Sequence, residues 1–113
     1  WSKDSKHVFN FGGGFFSFDV EKVSKISGWA FAATSEDAPL ITPFDDGKRV
    51  LARYPNRVEL FNAYTKSAVC TVEEPAKAQV VISPDESRFA GIRENGKGVS
   101  IHTSANCAQV ARF

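Results

Sequence analysis

The stretch that decides the fold is Ile82-Ser83-Pro84-Asp85-Glu86-Ser87-Arg88-Phe89-Ala90-Gly91-Ile92. Its pattern is that of a strand, a tight turn and a second strand. Pro84 holds φ near the value that an early turn position needs, and Asp85 and Ser87 can hydrogen-bond the local backbone. The stretch therefore predicts a β-hairpin.

Two weaker copies of this hairpin precede it. One spans residues 42–52 around Asp45-Asp46-Gly47, and the other spans residues 1–9 around Lys3-Asp4-Ser5. The turn aspartates Asp4, Asp46 and Asp85 are 42 and 39 residues apart. A hydrophobic hairpin that recurs with a period near forty predicts an internal repeat.

A second landmark recurs independently of the turns. Residues 15–19, 58–62 and 99–103 share the order apolar, variable, apolar, aromatic ring, short polar. The ring positions Phe18, Phe61 and His102 are 43 and 41 residues apart. Because two landmarks recur with nearly the same period, we interpret the chain as one domain of three units, residues 1–37, 38–75 and 76–113.

Short strand signals punctuated by turns fill the chain, and no stretch has the pattern of an amphipathic helix. This favours an all-β sandwich, barrel or propeller. Residues 28–37 are predicted to form a connection with an apolar patch. The predicted strands are 6–11, 15–20, 23–27, 38–42, 49–54, 58–62, 67–72, 79–83, 88–92, 98–102 and 107–112.

Composition allows a packed core and excludes several classes of protein. The chain has 113 residues, of which 42% are hydrophobic, and a net charge of +1. The charge gives no global argument for a nucleic acid or membrane partner, and no run is long enough for a transmembrane helix. The chain starts at Trp1 and contains no Met, so we expect it to be part of a longer protein.

The two cysteines are predicted to be free thiols. Cys70 and Cys107 both fall in the predicted fourth strand of their units. Such strands in neighbouring units are expected to lie beyond the roughly 7 Å Cα separation that a disulfide permits. The sequence has no Asn-x-Ser/Thr glycosylation acceptor, which favours an intracellular setting, and we predict a cytoplasmic location.

Four strands in each forty-residue unit make the pattern of a propeller blade, and the chain resembles the degenerate members of the WD-repeat β-propeller family. In that family a Ser-Pro-Asp-Gly turn joins the first two strands, and Trp-Asp closes the third. Ser83-Pro84-Asp85 matches the turn, while Phe18-Asp19, Phe61-Asn62 and His102-Thr103 stand at the Trp-Asp position. The sequence departs from the family in having no Gly-His pair before a first strand.

The resemblance implies about three four-stranded antiparallel blades from a larger propeller. Three blades do not close a ring, because propellers need roughly four to eight. The remaining surface is then expected to be covered by the rest of the protein's own chain, by copies of itself or by other protein subunits.

Residues with chemical potential do not form a catalytic pattern. Asp45 and Asp46 lie in a turn where Asp is favoured by the backbone. His102 occupies the ring position of its unit and is expected to be packed or hydrogen-bonded. No spacing of His and Cys fits a metal site, and neither glycine-rich turn precedes a helix that could hold a phosphate. We therefore predict no catalytic, cofactor-binding or metal-binding residue.

Basic residues on two equivalent hairpins are the candidate binding residues. If the units pack side by side, these residues could form a stripe that meets RNA phosphates or a protein partner. They are Lys48, Arg49, Arg53, Arg57, Arg88, Arg93 and Lys97.

Three functions remain open at this point. The first is a non-catalytic protein–protein interaction scaffold within a larger complex. The second is an RNA- or ribosome-associated propeller, such as a subunit of a translation initiation factor. The third is the propeller domain of a hydrolase or of a periplasmic protein.

Overall fold

Eleven β-strands make up the regular structure of the described residues. The computed structural model describes residues 1–11, 14–30, 39–54, 56–73, 79–92 and 98–113 and shows no helix among them. The strands are β1 (His7–Asn10), β2 (Gly14–Asp19), β3 (Ser24–Ala30), β4 (Leu40–Pro43), β5 (Arg49–Tyr54), β6 (Arg57–Asn62), β7 (Ser67–Val72), β8 (Gln79–Ile82), β9 (Arg88–Ile92), β10 (Val99–Thr103) and β11 (Gln109–Arg112).

The strands form three separate antiparallel sheets. Sheet I has the order β1-β2-β3, sheet II β4-β5-β6-β7, and sheet III β8-β9-β10-β11. Every pair of neighbours in a sheet is consecutive in the chain, so each sheet is a simple meander. All eleven predicted strands are confirmed, and β5, β7 and β9 have the predicted bounds.

The first turn of each sheet has the same hydrogen-bond pattern. A main-chain N–H donates to the carbonyl five residues later, from Ser2 to His7, from Phe44 to Arg49 and from Ser83 to Arg88, at 2.9 Å each. The residue after the turn aspartate has a positive φ in each case. These residues are Ser5 (61°), Gly47 (71°) and Glu86 (62°). The two weaker copies therefore form the same turn structure as Ser83-Pro84-Asp85.

The pairing between the last two strands of each sheet is also repeated. A β-bulge interrupts it between Ser17 and Phe18, between Leu60 and Phe61, and between Ile101 and His102. The turn that joins these strands contains a residue of positive φ, which is Val23 (50°), Lys66 (58°) or Cys107 (61°). The bulges and the positive-φ residues both recur after 43 and 41 residues, which is also the spacing of the ring positions Phe18, Phe61 and His102.

Strand β3 is longer than predicted. We expected a connection from residue 28, but β3 continues through Gly28 to Ala30, pairing Phe16 with Gly28. A Cβ atom at Gly28 would lie 2.7 Å from Cδ1 of Phe16. The missing side chain thus makes room for an aromatic ring across the strand, and Gly28 does not mark a turn.

The core consists of two layers between the sheets. Phe15 of sheet I packs with Val50, Phe61 and Ala63, with Phe9 and Ile41 at the margin. Between sheets II and III, the buried cluster contains Phe44, Leu51, Val58, Leu60, Phe89 and Cys107. The alternation of side chains along each strand lets sheet II bury one face in each layer.

The prediction of free thiols was wrong, because Cys70 and Cys107 form a disulfide with their Cα atoms 5.8 Å apart. Cys70 lies in β7 as predicted, but Cys107 lies in the turn before β11. That turn reaches across to the neighbouring sheet, where Cys107 is 9% exposed in the core cluster. The error came from placing Cys107 inside a strand.

Candidate partner-binding surfaces

The first turns of the three sheets contact one another at one end of the molecule. The main-chain N–H of Lys3 donates to Oδ1 of Asp45 at 3.3 Å, and Nδ1 of His7 donates to the Asp45 carbonyl at 2.7 Å. The Asp45 N–H in turn donates to Oε2 of Glu86 at 2.7 Å. Asp45 therefore links the turns of all three sheets, and we call this end of the molecule the turn end.

The turn aspartates are engaged by the backbone. The main-chain N–H and side-chain hydroxyl of Ser87, together with the Ser83 hydroxyl, hold the pKa of Asp85 at about 2. Hydrogen bonds from the Ser2 hydroxyl and the Lys6 N–H likewise lower the pKa of Asp4. Both carboxylates serve as ionised acceptors that close a turn.

The pKa of Asp46 is also lowered, although its carboxylate is more buried than those of Asp4 and Asp85. Burial raises the pKa of Asp46, but hydrogen bonds from Arg49 and from the Lys48 N–H outweigh it, so that the net pKa is lowered. Nε of Arg49 lies 2.8 Å from Oδ2 of Asp46. Asp45 and Asp46 therefore have structural partners, as the turn interpretation predicts.

The predicted basic residues lie at two opposite ends of the sheets. Lys48, Arg49 and Arg88 lie at the turn end, in or directly after the first turns. Arg53 and Arg57 lie at the far end of the β5–β6 hairpin, about 13–17 Å away at 3.3 Å per residue. Two further predicted residues, Arg93 and Lys97, lie outside the described residues.

Several of these cations already have neighbours within their own sheet. The guanidinium of Arg49 lies 4.4 Å from the centre of the Phe44 ring, and that of Arg57 lies 3.9 Å from the centre of the Tyr54 ring. Nε of Arg57 is also 3.7 Å from Oε2 of Glu59. Burial and the Glu59 charge raise the pKa of Tyr54, which keeps this hydroxyl protonated.

A polar cavity of about 410 Å³ lies at the turn end between sheets I and II. Lys48 lies beside it, with Nζ 4.9 Å from the centre of the Tyr64 ring. Sequence reasoning missed this cavity because its lining residues come from β1, β2, β3 and the turn before β3 in sheet I and from two turns of sheet II, which only the packing of the two sheets brings together. The lining residues are His7, Asp19, Lys22, Ser24, Lys25, Ile26, Asp46, Lys48 and Tyr64.

His102 is buried and hydrogen-bonded, as predicted for a ring position. It is 4% exposed, and its ring stacks on that of Phe89 with the centroids 5.3 Å apart. Nδ1 lies 3.1 Å from the Cys107 carbonyl, and Nε2 lies 3.1 Å from Oγ of Ser100. Because the carbonyl can only accept, Nδ1 carries the proton, and the Ser100 hydroxyl can donate to Nε2.

Each sheet has two distinct faces, which we define by what they pack against. The front face is the one turned towards the next sheet, and it carries Ser17 in sheet I and Leu60 in sheet II. The back face is turned towards the preceding sheet, and it carries Phe61 in sheet II and Phe89 in sheet III. Among the described residues, no sheet packs against the front face of sheet III or the back face of sheet I.

The front face of sheet III is apolar and open. Its central row runs through directly paired residues, which share a face in an antiparallel sheet. The row consists of Val81, Ala90, Ile101 and Ala111. Val81 is 53% exposed and the other three are partly buried, whereas Leu51 and Leu60 in the matching row of sheet II are 0% exposed.

Among the described residues, no group of three or more His, Cys, Asp or Glu side chains could hold a metal ion. Within the same ranges, no helix is long and apolar enough to cross a membrane. The open apolar face and the turn end are the two surfaces of the described chain that we take as candidate binding surfaces.

No family model matches the sequence. No curated protein matches it either. The fold is similar to a solved structure described as "KlHsv2 with loop 6CD replaced by a Gly-Ser linker", with a TM-score of 0.66 and 11% sequence identity. The similarity covers 96% of this chain but only 36% of that chain.

Proposed function

We propose that this chain is a non-catalytic assembly scaffold, built of WD-like propeller blades, that binds other protein units through its open sheet faces. One observation carries the proposal. The apolar row Val81–Ala90–Ile101–Ala111 occupies, in sheet III, the position of the row that sheet II buries against its neighbour.

The energetics favour covering this face. An apolar sheet face that stays in contact with water forgoes about 25 cal/mol of stabilising free energy for each Å² that could be buried. Arrays of repeats depend on contacts between neighbouring units, and their ends need a polar cap to remain soluble. The central row of the front face of sheet III, which lies in the described part of the chain, is entirely apolar and so does not have the polar character of a cap. A further sheet packed there would extend the array as sheets II and III extend it from sheet I.

The proposal is tested by adding a sheet to the chain. A second copy of residues 38–75 is appended after Phe113 through a linker with the sequence of residues 74–78, and thermal unfolding is followed by circular dichroism. If the appended sheet docks, the unfolding midpoint should rise by at least about 3 °C, since 1 kcal/mol shifts it by about 2–8 °C in domains of this size. Ile101→Glu in the fusion should remove the gain. An unchanged midpoint would contradict the proposal.

The Cys70–Cys107 disulfide bears on the compartment in which the scaffold works. Disulfides persist in oxidising compartments and are rare in the cytosol. The disulfide therefore favours the third function, a periplasmic or hydrolase-associated propeller, over the predicted cytoplasmic location. Trapping of free thiols with a maleimide in intact cells, followed by mass measurement, would distinguish the two, because only a reduced chain would be labelled.

Association with RNA stays a prediction. Arg49 and Arg57 already lie beside the carboxylates of Asp46 and Glu59, whereas Lys48 lies over the uncharged Tyr64 ring, so Lys48 and Arg88 at the turn end are the stronger candidates. Lys48→Glu with Arg88→Glu should abolish salt-sensitive binding of a labelled single-stranded RNA, while Arg53→Glu serves as the matched control at the opposite end. Absence of RNA binding by the unmodified chain would exclude this function.

A further inference from the structure

The polar cavity of about 410 Å³ at the turn end lies between sheets I and II. Its volume is within the range of about 300–1,000 Å³ that small-molecule sites have. The Ser17 and Ser27 hydroxyls donate to the Gly47 carbonyl, which holds the first turn of sheet II against sheet I. Because that turn also carries Asp46 and Lys48, the packing of the two sheets fixes the cavity in place.

Basic side chains outnumber acidic ones in the lining of the cavity. The charged lining residues are Lys22, Lys25 and Lys48 with Asp19 and Asp46. Asp46 is already neutralised, since Nε of Arg49 lies 2.8 Å from its Oδ2 and its Oδ1 accepts two main-chain N–H groups. The cavity therefore has an excess of positive charge, which favours an anionic ligand.

Two of the lysines are placed to bind a ligand directly. In the part of the chain that the structure describes, neither Lys22 nor Lys48 forms an ion pair. Nζ of Lys48 lies 4.9 Å from the centre of the Tyr64 ring, an uncharged neighbour that leaves the ammonium charge uncompensated. Lys25 is directly paired with Phe18 of the back face, so its ammonium group is not assigned to the ligand.

His7 adds a hydrogen-bond acceptor to the lining. Its Nδ1 lies 2.7 Å from the Asp45 carbonyl, which can only accept, so Nδ1 carries the proton and the neutral ring has Nε2 as an acceptor. Ile26 is partly buried and the Tyr64 ring is 58% exposed, and both give apolar surface beside the charged groups. The lining therefore suits an anionic group joined to a small body that carries hydroxyls.

We propose that this cavity binds a small phosphomonoester, such as a sugar phosphate, with its phosphate between Lys22 of sheet I and Lys48 of sheet II. A phosphate monoester carries a charge of about −1.5 to −2 at pH 7 and three strong acceptor oxygens. Those properties match the two ammonium groups better than the single charge of a carboxylate does. Nε2 of His7 accepts from a hydroxyl of the sugar. The site lies between two sheets and is independent of the open sheet faces of the proposed function.

The first test is a titration of the isotope-labelled chain with ribose 5-phosphate, followed by the amide signals in NMR. Saturable shifts are expected at residues 19–26, 46–48 and 64, and ribose without phosphate should give none. Inorganic phosphate should bind at the same residues but more weakly, because the hydroxyl and apolar contacts are lost. Equal affinity for the two phosphates would show that phosphate alone is the ligand and would refute the assignment of an ester.

The second test removes the lysine contacts with Lys22→Gln and Lys48→Gln. Both residues are exposed, so folding should be unaffected, and unfolding midpoints without the probe check this. Each change should weaken binding of ribose 5-phosphate about tenfold, since a charge-assisted hydrogen bond is lost. Lys66→Gln is the matched control, because Lys66 is exposed in the turn that carries Tyr64 but does not line the cavity. It should leave the affinity close to that of the unmodified chain.

Two outcomes would overturn the inference as a whole. One is the absence of any saturable shift at the lining residues at millimolar ribose 5-phosphate. The other is binding that both lysine substitutions leave unchanged, which would mean that the phosphate binds elsewhere on the chain. Neither outcome bears on the fusion experiment, since that experiment tests a contact at the front face of sheet III.

Discussion

Cys70 and Cys107 join sheet II to sheet III, with their Cα atoms 5.8 Å apart across the junction. The bond adds a covalent link to a junction that already buries Leu51, Leu60 and Phe89. At the corresponding place between sheets I and II, the contacts are hydrogen bonds from Ser17 and Ser27 to Gly47. Cys107 lies in the last turn of its sheet, whereas Gly47 lies in the first turn of its sheet, so the two junctions use different turns as partners.

The disulfide should contribute strongly to stability. It closes a loop with a sequence separation of 37, for which loop-closure entropy predicts a stabilisation of about 4 kcal/mol. Reduction, or Cys70→Ser with Cys107→Ser, should lower the free energy of unfolding in urea by about that amount. The double variant should be insensitive to reductant. Equal stability of the oxidised and reduced chains would show that the bond does not constrain the fold.

Asp85 should make stability depend on pH in the acid range. Its pKa is about 2 in the folded chain against an ordinary value of 3.8. A carboxyl whose pKa is lowered by folding stabilises the protein fully above its unfolded pKa, and the contribution disappears as pH falls through the folded pKa. Asp85→Asn should therefore flatten the decline in unfolding midpoint between about pH 4 and pH 2.

The control for this effect is Glu73→Gln, which removes an exposed carboxylate outside the turns. It should leave the slope of the pH profile in that range close to that of the unmodified chain. A profile of Asp85→Asn that overlays the unmodified one would show that the turn hydrogen bonds do not favour the ionised form.

The Ser17 and Ser27 hydroxyls bind the turn between β4 and β5, and each should partly compensate for the loss of the other. Ser17 is 0% exposed, its Oγ lies 2.8 Å from Oγ of Ser27, and both donate to the Gly47 carbonyl. Ser17→Ala should cost about 1 kcal/mol, because Ser27 still donates. Adding Ser27→Ala should cost about 1–3 kcal/mol more by leaving the carbonyl without these donors. Urea denaturation measures both, with the exposed Ser24→Ala as the neutral control.

Val23 should be a site where substitution stabilises the chain. It is β-branched and 88% exposed with φ at 50°, a conformation that costs an L-residue about 1–2 kcal/mol and that Asn tolerates better. Val23→Asn should raise the free energy of unfolding by about 1 kcal/mol, measured at a concentration where the chain is monomeric. Lys66→Asn in the corresponding turn should give a smaller gain, since Lys is not β-branched. A loss of stability at Val23 would mean that its side chain contributes to packing.

Much of the secondary structure could be predicted because it depends on local chemistry. Asp4, Asp46 and Asp85 bind backbone N–H groups within two or three residues, so the turn residues themselves specify the turns. The candidate basic residues were harder to group. Lys48 and Arg53 are close in sequence, but an extended strand places them at opposite ends of a sheet.

The sequence by itself determined the periodicity of this protein, its turns and its strands, since each depends on hydrogen bonds and side-chain alternation within a few residues. Only the tertiary structure decided which faces are covered, that Cys107 reaches Cys70, and that Val81 is exposed whereas Leu60 is buried. Those outcomes depend on how one sheet is placed against the next, and residues about forty positions apart interact there. The physical reason is that the packing of one sheet on another depends on the strand register and the bulges of both sheets. The conformation of a turn depends only on the residues within it.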